Sequence, residues 1–234
     1  MTSKTHHTMK KLLLVTLAVV LSLTANAKKE KRTTVELLTS KGKITIELYN
    51  ETPLHRDNFI KLINEKFYDN LLFHRVITDF MIQGGDPDSK EAPQGKALGE
   101  GGPGYTVPSE IRFPVLFHKR GALAAAREGD ITNPDRNSSG SQFYIVWGKT
   151  FTKEEINNIT DAIEKHSNGS ITFPENIKKH YMRYGGTPHL DGSYTVFGEV
   201  IKGIETVNAI QQVDTDSNDR PLEDIRILSA TIKK

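Results

Sequence analysis

From Thr33 onward the chain alternates apolar and polar positions with a period of two. Val35 and Leu37, then Ile44, Ile46 and Leu48, share one face on either side of Ser40-Lys41-Gly42, which predicts a hairpin with one buried face. The period then lengthens. Thr52 followed by Pro53 has the form of an N-cap and first helical position, and Phe59, Leu62, Ile63 and Phe67 recur at helical spacing. Residues 73–85 predict two short strands around Thr78-Asp79. Residues 86–108 are loop-rich, with Pro87, Pro93, Pro103 and Pro108 and five glycines between Gly95 and Gly104. Gly121–Ala126 and Gln142–Trp147 predict two more strands, separated by the polar, turn-rich stretch Arg127–Gly140. Thr195–Val200 continues the β pattern. Gly203–Val213 predicts a helix with Ile204, Val207 and Ile210 inward, and Ile225, Ile227 and Ile232 belong to a closing strand.

Residues 150–186 differ in character. Thr152 and Glu155 have capping-box spacing, Ile156, Ile159 and Ile163 share a helical face, and a second short helix is expected from Pro174. This is a helical insert within a β sequence, with no shift in composition to mark a separate domain. Many short strands with two main helices predict a mainly β fold, a closed antiparallel barrel that leaves no free edges.

Composition adds little until the N-terminus is set apart. The 234 residues are 36% hydrophobic and 26% charged with mean hydropathy −0.45, ordinary for a globular domain. Met9-Lys10-Lys11, an apolar run from Leu12 to Leu23 and the small residues of Ala25-Asn26-Ala27 form the three parts of a cleavable secretory signal. The run is shorter than the roughly 20 residues a spanning helix needs. The expected division is a signal peptide at 1–27 with cleavage near Ala27 and a possible upstream extension at 1–8. A loose charged tail at 28–32 and one domain at 33–234 follow. The expected location is the periplasm. Residues 1–27 carry Lys4, Lys10 and Lys11 and no acid, so removing them turns a formal +2 into −1. A near-neutral mature chain has no electrostatic pull toward nucleic acid or an anionic membrane. The absence of cysteine excludes disulfides, thiolate metal sites and cysteine nucleophiles.

Candidate chemistry is sparse by motif. There is no HExxH, GxSxG or Walker loop, and the eight histidines lack metal-ligand spacing. The run Gly99–Gly104 does not open a helix after a strand, so it reads as a surface loop. What stands out is Phe73-His74-Arg75-Val76-Ile77, with Arg75 at the strand parity of Phe73 and Ile77. An arginine on an apolar face has either a salt-bridge partner under a loop or a function. Phe80, Met81 and Gln83 follow, and Gln142-Phe143-Tyr144 places a second amide beside aromatics.

These segments carry a resemblance. FHRVITDFMIQGGDP (Phe73–Pro87) resembles the signature of cyclophilins, prolyl isomerases that bind cyclosporin. Ser139–Tyr144 and His189–Val200 resemble that family's later motifs in the same order, and the likeness covers about 33–149 and 187–232. It implies an eight-stranded antiparallel barrel capped by two helices, working without cofactor or metal, by family habit a monomer. Position by position, Arg75 matches the catalytic arginine. Phe80, Met81, Tyr144 and Leu190 match the pocket for the proline ring. Gln83 and Gln142 match groups that hold the substrate backbone, and Ala126 lines the groove. Arg127 stands at a common asparagine whose main chain binds peptide. His189 stands where many eukaryotic members have a tryptophan that contacts cyclosporin, so weaker drug binding is implied. Tyr194 replaces a frequent histidine. Tyr144 replaces the usual phenylalanine, and its hydroxyl then needs a partner.

The implied reaction is rotation about an X–Pro bond, with proline-containing peptides and unfolded exported proteins as substrates and no covalent intermediate. A second reading is a peptide-holding chaperone with incidental turnover. A third is a surface protein whose insert is the interaction site.

Overall fold

The computed structural model describes residues 31–233, so the expected signal segment lies outside the described residues. The elements run in chain order β1 (Thr34–Thr39), β2 (Gly42–Leu48), α1 (Pro53–Asn64), β3 (Leu71–Leu72), β4 (Arg75–Ile77), β5 (Met81–Gly84), β6 (Thr106–Val107), β7 (Ala122–Ala125), β8 (Ser138–Ser139) and β9 (Phe143–Val146). Then come α2 (Lys153–His166), α3 (Glu175–Tyr184), β10 (Val196–Lys202), α4 (Ile204–Gln211) and β11 (Arg226–Lys233). Two 3₁₀ turns, Pro87–Ser89 and Pro188–Leu190, complete the set.

The 33–49 hairpin forms as the alternation predicts, with Val35 opposite Ile46 and Leu37 opposite Ile44. Strand pairing then builds a curled antiparallel sheet of nine strands in the order β3-β11-β1-β2-β10-β7-β9-β5-β4, with β6 and β8 paired apart from it. This corrects the closed eight-stranded barrel. The ladder has two ends, β3 and β4, joined in sequence by Phe73-His74 but not to each other as strands. The outer edge of β4 is covered instead by a loop, where the Val76 amide donates to the Asp219 carbonyl at 2.8 Å.

Inside the curl lies one apolar core. Val35, Leu37, Ile44, Ile46, Phe59, Leu62, Phe73, Ile82, Phe143, Ile145, Val207, Ile210 and Ile227 are buried together. Helix α1 covers one side through Phe59, Leu62 and Ile63, and α4 another through Val207 and Ile210. Ile204, expected inward, is 37% exposed, because it lies at the first position of α4 beside Gly121 at the sheet margin.

The start of α1 departs from the expected cap. Thr52 makes no capping bond to the helix. The free amides of Leu54 and His55 donate instead to the two oxygens of Glu110, at 3.2 and 3.0 Å. The same carboxylate lies 2.8 Å from His55 Nδ1. Arg32, which the sequence assigned to the charged tail, pairs with Glu47 and Glu51 at 3.1 and 2.8 Å.

The insert folds as two helices. The Thr152–Glu155 capping box is complete, and Pro174 stands at the start of α3. Ile156, Phe173, Ile177 and Tyr181 form a small core of their own, against which Phe117 and Ile171 pack.

Candidate functional site

Four strands place the candidate residues in one row. Arg75 on β4 lies opposite Gln83 on β5, Gln83 opposite Tyr144 on β9, and Tyr144 opposite Ala124 on β7. Side chains alternate along each strand. Ile82 and Ile145 therefore enter the core, while Met81 and Tyr144 join a second apolar cluster on the outer face with Ala124, Val146 and Val196. Phe73 was expected to share Arg75's face. It lies in the core, because regular strand geometry begins only at Arg75 and His74 breaks the alternation.

The β4–β5 turn brings in Phe80. Asp79 takes a left-handed conformation (φ 57°) that aspartate tolerates, and its amide donates to Gln211 Oε1 at 2.8 Å. Opposite, the 3₁₀ turn Pro188–Leu190 supplies Leu190 and sets His189 against Phe80, with ring centroids 5.3 Å apart. Arg75, Phe80, Met81, Gln83, Ala126, Arg127, Tyr144, Leu190 and Tyr194 thus line one cavity of about 170 Å³.

Arg75 is half exposed and donates through Nε to Asp219 Oδ2 at 3.2 Å. Its charge is therefore anchored at one edge and faces the cavity, where sequence reasoning had left a choice between salt bridge and function. Arg127 was expected to act through its main chain. Its side chain is locked: Nε donates to the Ser193 carbonyl at 2.8 Å, the guanidinium lies 4.5 Å from the Tyr194 ring centre, and Asp130 pairs with it at 2.6 Å. The hydroxyl of Tyr144 finds its partner in His118 Nε2 at 3.0 Å.

Gln142 and His189 do not line this cavity. Gln142 lines a neighbouring one of about 440 Å³ with Gly99–Gly102, Tyr105, Thr106, Thr132 and Asn133, and Gln83, Ala126 and Arg127 border both. The Gln142 amide accepts from Gln83 at 3.0 Å and donates to the carbonyls of Gly99 and Gly101 at 2.7 and 2.8 Å. The Gly99–Gly104 run is therefore groove wall rather than plain surface loop. Only the glycine density and an amide able to pin two carbonyls could have signalled this. Gly140 must lack a side chain there, since a Cβ would strike Pro103 and the Tyr105 carbonyl.

Two imidazoles are held neutral by their surroundings. Burial, reinforced by His118, lowers the pKa of His189 below the usual histidine value. Burial lowers that of His74 to about 4, and neither of its ring nitrogens has a protein hydrogen-bond partner. Among the described residues no cluster of three metal-ligating side chains occurs.

The outer face of the curled antiparallel sheet thus carries a groove lined by an arginine, two glutamines and apolar side chains. The family model described as cyclophilin type peptidyl-prolyl cis-trans isomerase/CLD matches residues 34–232. A Staphylococcus haemolyticus protein assigned by name as a peptidyl-prolyl cis-trans isomerase is 36% identical over 202 residues, covering 85% of this chain and 90% of its own. A Staphylococcus aureus protein of the same assignment is 36% identical over 203 residues, covering 86% and 91%. The crystal structure of a Cryptosporidium parvum cyclophilin type peptidyl-prolyl cis-trans isomerase superposes with a TM-score of 0.60 at 26% identity, covering 87% of this chain and 98% of that one. The same protein was also solved in the presence of the dipeptide Ala-Pro, with a TM-score of 0.59. The chain belongs to the cyclophilin-type peptidyl-prolyl cis-trans isomerases, and it is an enzyme of that type.

Proposed function

We propose that this enzyme binds proline-containing segments with the proline ring in the 170 Å³ cavity and lowers the barrier to X–Pro rotation through Arg75. The observation that carries this reading is the convergence of Arg75, Phe80, Met81, Gln83, Tyr144 and Leu190 on that single cavity. An X–Pro bond has lost most of its trans preference, yet unaided rotation takes roughly tens to hundreds of seconds because amide resonance resists twisting. At the twisted geometry the proline nitrogen pyramidalises and gains a lone pair. A guanidinium is always charged and donates in a fixed fork, so Arg75, anchored by Asp219, can donate to that new acceptor. In the planar ground state the lone pair is delocalised and the bond is weaker. Such differential binding accelerates the rotation with no nucleophile and no proton transfer.

Phe80, Met81, Tyr144 and Leu190 clamp the ring, while Gln83 and Gln142 hold the flanking backbone, so the acyl side turns against a fixed prolyl side. The Cryptosporidium relative was solved in the presence of the dipeptide Ala-Pro, the smallest peptide that carries an X–Pro bond, which supports this reading. In the cell the substrates are unfolded exported proteins in the periplasm, reached after cleavage near Ala27. The signal pattern of residues 9–27 supports that assignment.

Isomerisation of a proline-containing test peptide by the mature chain, with Arg75→Ala alongside, tests the catalytic part. Turnover that depends on Arg75 is expected. Peptide binding without turnover would favour a peptide-holding chaperone. N-terminal sequencing of exported protein tests the address, with Lys28 as the expected first residue.

A further inference from the structure

The Tyr144 hydroxyl opens a chain of buried polar groups that ends in the helical insert. Tyr144 Oη lies 3.0 Å from His118 Nε2. His118 Nδ1 lies 2.8 Å from Asp191 Oδ1, which also accepts from the His118 main-chain amide at 2.9 Å. The other carboxylate oxygen, Oδ2, accepts from the Tyr181 hydroxyl at 2.6 Å. All four residues are buried, with Tyr181 on α3 at 0% exposure. The carboxylate accepts from Tyr181 and from His118 Nδ1, and the Tyr144 hydroxyl, which can donate or accept, meets His118 Nε2, so every contact is satisfied.

The order of groups is that of a nucleophilic triad, but the chemistry is different. The Tyr144 hydroxyl is fully enclosed, and burial holds its pKa well above the usual phenol value, so it stays protonated. What the chain fixes is position. Tyr144 is the floor of the ring cavity, and Asp191 directly follows Leu190, part of its wall. The insert touches the same wall a second time: Ile171 packs so closely on Gly192 that a Cβ there would clash with it. A phenylalanine at position 144 would need none of these partners. The tyrosine brings a polar atom that must be satisfied when buried, and the last member of the chain that satisfies it comes from α3.

We propose that Tyr181 is a positioning residue for prolyl isomerisation, acting through Asp191 and His118 on the Tyr144 floor, which makes the helical insert a working part of the proline pocket. This rests on the isomerase reading of the cavity.

The test is a double-mutant cycle on the mature chain with a proline-containing peptide, measuring kcat, KM and urea stability for wild type, Tyr181→Phe, Tyr144→Phe and the double variant. Tyr181→Phe is expected to lower kcat/KM roughly fivefold. The loss should fall mainly in KM, because the floor holds the ring in ground and transition states alike. In the Tyr144→Phe background the same substitution should change kcat/KM by less than about twofold, since the group it acts on is gone. Val35→Ala, in the main core and lining neither cavity, should lower stability while leaving kcat/KM within about twofold. Should Tyr181→Phe fail to fold, Asp191→Asn replaces it in the same cycle. Unchanged kcat/KM in Tyr181→Phe, or an equal loss in both backgrounds, overturns the proposal. An inactive wild type, or one indifferent to Arg75→Ala, would instead strike the isomerase reading beneath it.

Discussion

Arg75 donates its Nε hydrogen to Asp219 Oδ2 across 3.2 Å, bringing together β4 and the loop that covers the sheet's open edge. Both side chains are about two-fifths exposed. Half-exposed pairs of this kind contribute about 0–1 kcal/mol to stability. The pair therefore matters more as an anchor for the guanidinium than as a support for the fold.

Arg75→Ala is expected to lower kcat/KM on the order of 10²–10³-fold, as loss of a donor aimed at developing charge does. Arg75→Lys should lose most activity too, because an ammonium lacks the rigid fork. Asp219→Asn should fall within about threefold of wild type, in keeping with its exposure. Circular dichroism should show all three folded. Near-normal turnover by Arg75→Ala would remove Arg75 from the mechanism.

The Glu110 carboxylate carries the start of α1 and sits against buried His55. Glu110→Ala leaves two helix amides and an imidazole without their acceptor. A loss of about 3 kcal/mol in urea unfolding is expected, the upper end of the scale for leaving buried donors without their acceptor. Turnover per folded molecule should hold, since Glu110 lines neither cavity. A loss below about 1 kcal/mol would mean that Thr52 or solvent can take over the cap.

His74 gives stability a pH dependence of known sign. The folded protein keeps its ring neutral down to about pH 4, against an ordinary value of 6.5. Between these values the unfolded chain binds a proton that the folded one does not. The contribution is therefore complete above pH 6.5 and is lost as pH falls toward 4. His55, His180 and His189 shift in the same direction, so the wild-type slope is a sum. His74→Leu should make urea midpoints less steep over that window. Identical slopes in variant and wild type would contradict the assignment.

His189 packs on Phe80 at the rim of the ring cavity. The family resemblance implies that His189 stands where many eukaryotic members have a tryptophan that contacts cyclosporin; on that reading His189→Trp is expected to tighten cyclosporin binding more than it alters turnover. Fluorescence titration of the new indole against the drug checks this. An affinity equal to wild type would show that drug contact is set elsewhere along the groove.

What the sequence disclosed follows the range over which its signals act. Val35, Leu37, Ile44 and Ile46 alternate strictly, and the Thr152–Glu155 spacing is local, so both were legible. β3 has two residues, Leu71-Leu72, too few to show a period. The cap from Glu110 and the Asp219 partner of Arg75 come from distant points in the chain, where no local pattern reaches. The closed barrel was expected because free edges are a liability; here a loop covers the edge instead. In the site, residue types alone left Arg75 undecided between salt bridge and function. The ordered motifs then placed it with Phe80, Met81, Gln83, Tyr144 and Leu190, and these do line one cavity. The glycine wall at 99–102 was missed because its partner, Gln142, lies about forty residues on.

The groove and the core lie on opposite faces of the same strands. Along β5, Met81 and Gln83 face outward, while Ile82 and Gly84 face inward. Along β9, Tyr144 and Val146 alternate with Phe143 and Ile145 in the same way. Substitutions at neighbouring positions along the groove are therefore expected to differ in kind, Met81, Gln83 and Tyr144 in turnover and Ile82, Phe143 and Ile145 in persistence of the fold. A saturation map of residues 81–84 and 143–146, scored separately for activity and abundance, would have a two-residue beat with the two scores out of phase.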